Sequence, residues 1–178
     1  GVSAIALEDK VGLKKNSLFK DQKGVKQDSI SSFCKKIKVA TDARVTKDFL
    51  IIARIESLIL GKSIIDALKR ADAYSKAGAD AIIIHSKEKK PNQIFKFSKE
   101  FRKSKYFKPL VAIPSTYSKT YEKDLIKNKF KIVIYANQML RASYKAMLNV
   151  AKTILSNKRS SEAEKNISSV SEVIELIK

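Results

Sequence analysis

The stretch Gly78-Ala79-Asp80-Ala81-Ile82-Ile83-Ile84-His85-Ser86-Lys87 decides the fold class. Its centre is a run of apolar, mostly β-branched residues with no polar alternation, the pattern of a strand buried on both faces. The strand reads as 81–85 and ends on His85. Before it, residues 63–77 place Ile64, Ala67, Leu68 and Ala71 on one helical face. Ser63 suits the N-cap of that helix, and Gly78 suits the left-handed position that ends it. After the strand the chain turns polar at once, and Pro91 suits the first turn of a helix reaching to about residue 103. Helix, strand and helix in this order form the repeating unit of a parallel sheet.

The pattern recurs on both sides. Further short runs rich in Ile and Val lie at 2–7, 49–55, 110–113 and 132–135, which makes five expected strands. Helical periodicity fills the gaps. Residues 29–40 align Ile30, Phe33, Cys34 and Ile37, while 121–128 and 138–155 read as two more helices. The last helix, 169–177, opens on Ser169-Val170-Ser171-Glu172, the spacing of a capping box. The strand spacing is that of a (β/α)₈ TIM-type barrel, but a closed barrel needs eight strands. The expected architecture is therefore α/β, a partial barrel of about five parallel strands with helices, followed by C-terminal helices. A small doubly wound sheet is the alternative, and the lack of a glycine-rich phosphate fingerprint after any strand weakens it. Neither a linker nor an internal repeat interrupts the chain, so 1–178 reads as a single domain. It carries a long polar loop at 9–27 and C-terminal helices at 138–178.

Composition narrows the function classes. With 178 residues and 44% hydrophobic content the chain is long and apolar enough to bury a core. Its apolar runs all fall short of the ~20 residues of a membrane span. The opening apolar run has no basic leader or small-residue cleavage site and reads as a strand. A single cysteine, Cys34, excludes an internal disulfide; with one histidine it also argues against a zinc cluster. These features favour a reducing, cytoplasmic setting. The net charge of +19 comes almost wholly from lysines spread along the chain. Nucleic-acid sites favour arginine forks and aromatic platforms. The chain has no tryptophan and no basic-aromatic repeat, so neither a nucleic-acid nor a membrane partner is expected. A general attraction for small anions follows from the charge.

In parallel sheets and barrels, chemistry collects at the C-terminal ends of the strands. Those ends read Glu8-Asp9-Lys10, Arg54-Ile55-Glu56, His85-Ser86-Lys87, Pro114-Ser115-Thr116 and Asn137-Gln138. Any one of them taken singly is ordinary, because the chain is leaving the core there. Together, acidic groups, an arginine, a histidine and an asparagine facing one cavity suit a metal ion and a doubly anionic substrate. The loop after the first strand, with Gly12, Gly24 and several lysines, has the length and place of a lid.

The segment from Glu8 to Leu18, with Glu8-Asp9-Lys10 followed by Lys14 and Asn16-Ser17-Leu18, resembles the gating-loop motif of the phosphoenolpyruvate mutase family, within the isocitrate lyase superfamily. Ile52-Ala53-Arg54-Ile55-Glu56-Ser57 resembles the family's Ala-Arg-Val-Glu-Ala strand. Gly78 to Lys87 is similar to its Gly-Ala-Asp-Ala-Ile-Leu-Met-His-Ser-Lys, and Tyr135-Ala136-Asn137-Gln138-Met139-Leu140-Arg141-Ala142 to its Trp-Ala-Asn-His-x-Leu-Arg-Ala. The resemblance covers essentially the whole chain. Superfamily carbon–carbon lyases carry a catalytic cysteine in the loop, and this loop has none. Phosphonopyruvate hydrolases tend to carry Thr-Ser-Leu at Asn16-Ser17-Leu18, so Asn16 favours the mutase.

The resemblance implies interconversion of phosphoenolpyruvate and phosphonopyruvate, which forms a carbon–phosphorus bond for phosphonate biosynthesis. It implies Mg²⁺ as cofactor, with Glu8 in the metal's ligand shell through water. It gives Arg54 and His85 to the phosphoryl oxygens. Lys14, Asn16, Ser17 and Leu18 would close over the substrate from the loop, and the intact enzyme would be a homo-oligomer. Gln138 replaces the family's usual histidine and receives no role; Gly12-Leu13 replaces a Phe-Pro-type pair. The family's Ser-Gly turn, catalytic Asp and Asp-x-Asp metal pair precede the Glu-Asp-Lys strand and have no counterpart here. The chain is therefore expected to be the C-terminal part of such an enzyme, inactive and poorly soluble by itself. The alternatives are a phosphonopyruvate hydrolase or a non-catalytic, basic anion-binding module.

Overall fold

The computed structural model describes residues 1–12, 15–17, 19 and 21–177. These fall into two compact units, 1–135 and 136–178. The first unit runs β1 (Ala4–Glu8), β2 (Lys10–Val11), β3 (Lys26–Gln27), α1 (Ile30–Ala43), β4 (Leu50–Ile55), α2 (Ile64–Lys76), β5 (Ala81–Ile84), α3 (Asn92–Phe101), β6 (Leu110–Ala112), α4 (Glu122–Lys127) and β7 (Phe130–Val133). Five strands form one sheet in the order β1-β4-β5-β6-β7, and every pair is parallel. Strand order follows chain order with a helix at each crossover, the partial barrel expected from the pattern.

Strand pairing sets the lateral rows of the sheet. Glu8 lies opposite Arg54, Arg54 opposite Ile83, and Ile83 opposite Val111. Alternation along each strand then divides the side chains between two faces. Ile51, Ala53, Ile55, Ile82 and Ile84 join the larger core, with Phe33 and Ile37 of α1, Ala67 and Ala71 of α2, and Phe97 of α3. Ile52, Ala81, Ile83, Val111 and Ile113 form a smaller cluster on the opposite face. Burial of each Ile or Phe on the helix side contributes about 1.5–3 kcal/mol. The same parity carries Glu8, Arg54, Glu56 and His85 on beyond the small cluster, on the face away from the helices.

Local chemistry fixes the helix ends. Ser29 and Ser63 accept hydrogen bonds from Ser32 N and Asp66 N, capping α1 and α2. Gly78 has φ +113, and a Cβ there would lie 3.1 Å from Thr41 Oγ1, so the turn into β5 requires glycine.

Three features differ from the sequence pattern. The last strand begins at Phe130 rather than 132, because Lys129, after the Asn128 C-cap of α4, takes a left-handed φ of 67° and Phe130 is only 2% exposed. A shift of register between Leu110 and Val111 accommodates that pairing. The polar loop has a short antiparallel stem, with Lys10 opposite Gln27 and Val11 opposite Lys26. The helix α6 was not legible in the periodicity, since four residues hold barely one turn.

The second unit holds α5 (Gln138–Asn157), α6 (Ser161–Glu164) and α7 (Val170–Glu175). Ser169 and Glu172 close the expected capping box. Met139, Leu140, Tyr144 and Met147 of α5 are exposed. No helix among the described residues is long and apolar enough to cross a membrane.

Candidate active site

Four strand-end side chains and one loop hydroxyl converge above the carboxyl ends of β1, β4 and β5. The Arg54 guanidinium donates from Nε to Glu56 Oε1 at 2.6 Å and from Nη2 to Ser17 Oγ at 2.8 Å. Its Nη2 also lies 3.4 Å from Glu8 Oε1. Ser17 Oγ donates to Glu56 Oε2 at 2.7 Å and accepts from Lys10 Nζ at 2.9 Å. Lys10 Nζ is 2.9 Å from Glu56 Oε2 and 3.5 Å from Glu8 Oε1. The loop thus lies down on the sheet, with Ser17 buried among two cations and two carboxylates.

Burial opposes ionisation of the Glu56 carboxyl, but the Arg54 charge and the bonds from Ser17 and Lys10 outweigh it and hold the group down at about 2. His85 is 3% exposed. Desolvation pushes its imidazole down to about 4; the charges of Arg54 and Lys10 act in the same sense, and Glu56 opposes them. Near neutral pH the ring is therefore uncharged, and its buried Nδ1 has no hydrogen-bond partner among the described residues. An orphaned ring nitrogen beside a guanidinium is suited to an oxyanion, to which the imidazole donates in its Nδ1–H tautomer.

A second buried network fixes the base of the loop. Asp9 has the opposite parity to Glu8 and points to the helix side, fully buried. Its Oδ1 accepts from Glu56 N at 2.9 Å; its Oδ2 accepts from Gln27 Nε2 and Tyr74 OH, both at 2.8 Å, with Arg70 Nη1 at 3.3 Å. Arg70 also reaches Asp28 O at 2.8 Å. One carboxylate therefore ties both ends of the loop to β4 and α2. Desolvation raises the Asp9 pKa above its ordinary value despite these bonds.

Of the residues singled out in the sequence, Glu8, Ser17 and Arg54 meet directly, and His85 shares their electrostatic field. Asn16 is exposed, its carbonyl accepting from Gln22 Nε2 at 2.9 Å. Lys14 and Leu18 lie outside the described residues. Ser86 and Thr116 bind locally instead: Ser86 Oγ donates to Gln93 and Thr116 Oγ1 to the Ser86 carbonyl. Lys10, Glu56 and Asp9 stand within the strand-end motifs, and the sequence alone assigns them no role. Period-2 alternation from Glu8 and Arg54 was the available signal for the first two, and the i, i+4 pair Arg70 and Tyr74 for the third.

Among the described residues no group of three or more His, Cys, Asp or Glu side chains is placed to hold a metal ion. Glu8 presents one carboxylate, and Glu56 beside it is taken up by Arg54, Lys10 and Ser17. Magnesium asks for near-octahedral oxygen ligation, and these residues do not complete such a site by themselves.

Sheet order, strand-end chemistry and loop together define a TIM-barrel-type enzyme scaffold. The chain belongs to the phosphoenolpyruvate phosphomutase family, whose model matches residues 1–155. It is 41% identical over 179 residues to a phosphonopyruvate hydrolase of Variovorax sp. (strain Pal2), covering 99% of this chain and 60% of that protein. It is 35% identical over 175 residues to a phosphoenolpyruvate phosphomutase of Tetrahymena pyriformis, covering 98% and 57%. Among solved structures it resembles the phosphoenolpyruvate phosphomutase of Streptomyces platensis subsp. rosaceus, with TM-score 0.91, 35% identity, and coverage of 98% of this chain and 59% of that one. It also resembles a phosphonopyruvate hydrolase in complex with oxalate and Mg²⁺, with TM-score 0.86, 38% identity, and coverage of 99% and 59%. The chain thus spans less than two thirds of the length of these relatives.

Proposed function

We propose that this chain supplies the phosphoryl-binding and gating-loop part of a phosphoenolpyruvate mutase, which interconverts phosphoenolpyruvate and phosphonopyruvate. The observation that carries the reading is the Arg54 guanidinium beside the unpartnered, neutral His85, with loop residue Ser17 seated on the same arginine. A transferring phosphoryl group spreads charge over its equatorial oxygens, so catalysis is mostly positioning and charge stabilisation. Arg54 donates to one phosphoryl oxygen through Nη2, and His85 donates to a second. Glu56 holds the Arg54 fork in place through Nε. Asn16 and Ser17, with Lys14 and Leu18 of the same loop 9–27, close over the group and keep water out, which protects the transferring phosphoryl from hydrolysis.

Glu8 is the carboxylate offered to a Mg²⁺ shell, through water. Since the described residues do not complete that shell, no step is routed through the metal, and turnover is proposed to need more than these 178 residues. The exposed apolar residues of α5 support a homo-oligomer for the intact enzyme, and the single cysteine supports a cytoplasmic one.

The 41% identity to a phosphonopyruvate hydrolase favours a second reading, cleavage to pyruvate and phosphate. Asn16 in the loop supports the mutase. Phosphorus NMR of phosphonopyruvate with Mg²⁺ and the full-length gene product separates the two. Growth of a phosphate-ester signal supports the mutase, and growth of inorganic phosphate in its place establishes the hydrolase.

A further inference from the structure

Lys10 and Glu56 are assigned no substrate contact in the reading above, yet both are nearly sealed from solvent, with side chains 5% and 0% exposed. We propose that this pair is the latch of the loop: Lys10 and Glu56 are positioning residues that seat Ser17 against Arg54 when the loop lies down. The inference deepens the phosphoryl-binding reading, on which its catalytic meaning rests.

The geometry argues for a latch rather than a plain structural ion pair. Lys10 stands on the loop's own stem, and its ammonium bridges two bodies. On the sheet it meets Glu56 Oε2 at 2.9 Å and Glu8 Oε1 at 3.5 Å. On the loop it donates to Ser17 Oγ at 2.9 Å and to the Lys15 carbonyl at 3.3 Å. Glu56 divides its oxygens likewise: Oε1 orients Arg54, and Oε2 receives the loop hydroxyl. Of the two carboxylates in reach of the single Ser17 proton, Glu56 at 2.7 Å is closer than Glu8 at 3.4 Å, and donation to Glu56 leaves the oxygen's lone pairs to accept from Lys10 and from Arg54 Nη2. Lifting the loop off the sheet breaks the Ser17 bonds to Glu56 and Arg54 and the Lys10 contacts with Glu56 and Glu8, all of which involve a charged partner and are partly or fully buried. Because the same carboxylate aims Arg54 and receives Ser17, loop closure and orientation of the guanidinium are coupled.

Amide hydrogen exchange on the 178-residue chain without added ligand tests the latch. The amides of Lys15, Asn16, Ser17 and Phe19 report the loop, and those of α2 and β5 serve as reference. Lys10→Met, Glu56→Gln and Ser17→Ala should each speed loop exchange by about tenfold, with the reference within about twofold. The Lys10→Met, Glu56→Gln double variant should fall short of the product of the singles, because the two groups act on one contact. Loop exchange unchanged in Lys10→Met and Ser17→Ala, or rising only in step with α2, overturns the proposal. If Glu56→Gln fails to fold, Ser17→Ala still decides, since it removes only a loop hydroxyl. Binding of inorganic phosphate, compared with Arg54→Ala, is read separately. Its loss in Arg54→Ala upholds the phosphoryl-binding reading whatever the loop does, and its absence from the unmodified chain sinks that reading without touching the latch.

Discussion

Acidification from pH 7 to pH 5 should destabilise the first unit by about 2 kcal/mol through His85 alone. The folded chain keeps this imidazole neutral down to about 4, because it is desolvated and sits near Arg54 and Lys10. In the unfolded chain the ring takes its proton near the ordinary 6.5. Between those values the unfolded state binds more protons, so stability falls as the pH falls and levels off below about 4. The full shift is worth about 3 kcal/mol, of which about 2 is spent by pH 5. Other groups act elsewhere or in the opposite sense. Glu56, lowered from 4.5 to about 2, contributes stability that is lost only as the pH falls through that lower window. Asp9, with a raised pKa, gains relative stability on acidification. The assay is therefore a comparison: urea unfolding of the chain and of His85→Gln, each at pH 7 and pH 5, followed by circular dichroism. The stability difference between the two proteins should move by about 2 kcal/mol in favour of the variant at pH 5. Parallel pH profiles would refute the burial and electrostatics assigned to His85.

Tyr74→Phe keeps the ring packed against Phe33 but removes the hydroxyl that bonds Asp9 and Arg70. It should cost about 1–3 kcal/mol in urea unfolding, and an unchanged midpoint would remove Tyr74 from the Asp9 network. Gly78→Ala forces a side chain into φ +113 against Thr41 and should cost more than about 1 kcal/mol. A melting temperature equal to the parent's would count against that turn.

The fold was legible because a parallel sheet buried on both faces writes continuous apolar runs. Residues 81–84, with a capped helix before and a Pro-initiated helix after, identify the unit without ambiguity. Phe130 was lost to the pattern because Lys131 interrupts it and its neighbour Ile132, on the sheet's edge, is 37% exposed. A strand with one open side has weaker apolar continuity. At the site, Glu8, Arg54 and His85 stood out as polar groups ending apolar strands. Lys10 and Glu56 did not, because a charge just past a strand end is ordinarily solvated, and only the folded loop shows these two sealed. Asp9 was hidden for a related reason. Its partners Arg70 and Tyr74 lie more than 60 residues away, on what reads as the ordinary polar side of a helix.

The most direct test of the central claim is a titration of the 178-residue chain with phosphonopyruvate, followed by phosphorus NMR, beside the same titration of Arg54→Ala. A phosphonate resonance that shifts and broadens with the parent chain, and stays at its free position with Arg54→Ala, is the result expected of a phosphoryl site built on Arg54. Equal perturbation by both proteins, or by neither, would contradict it.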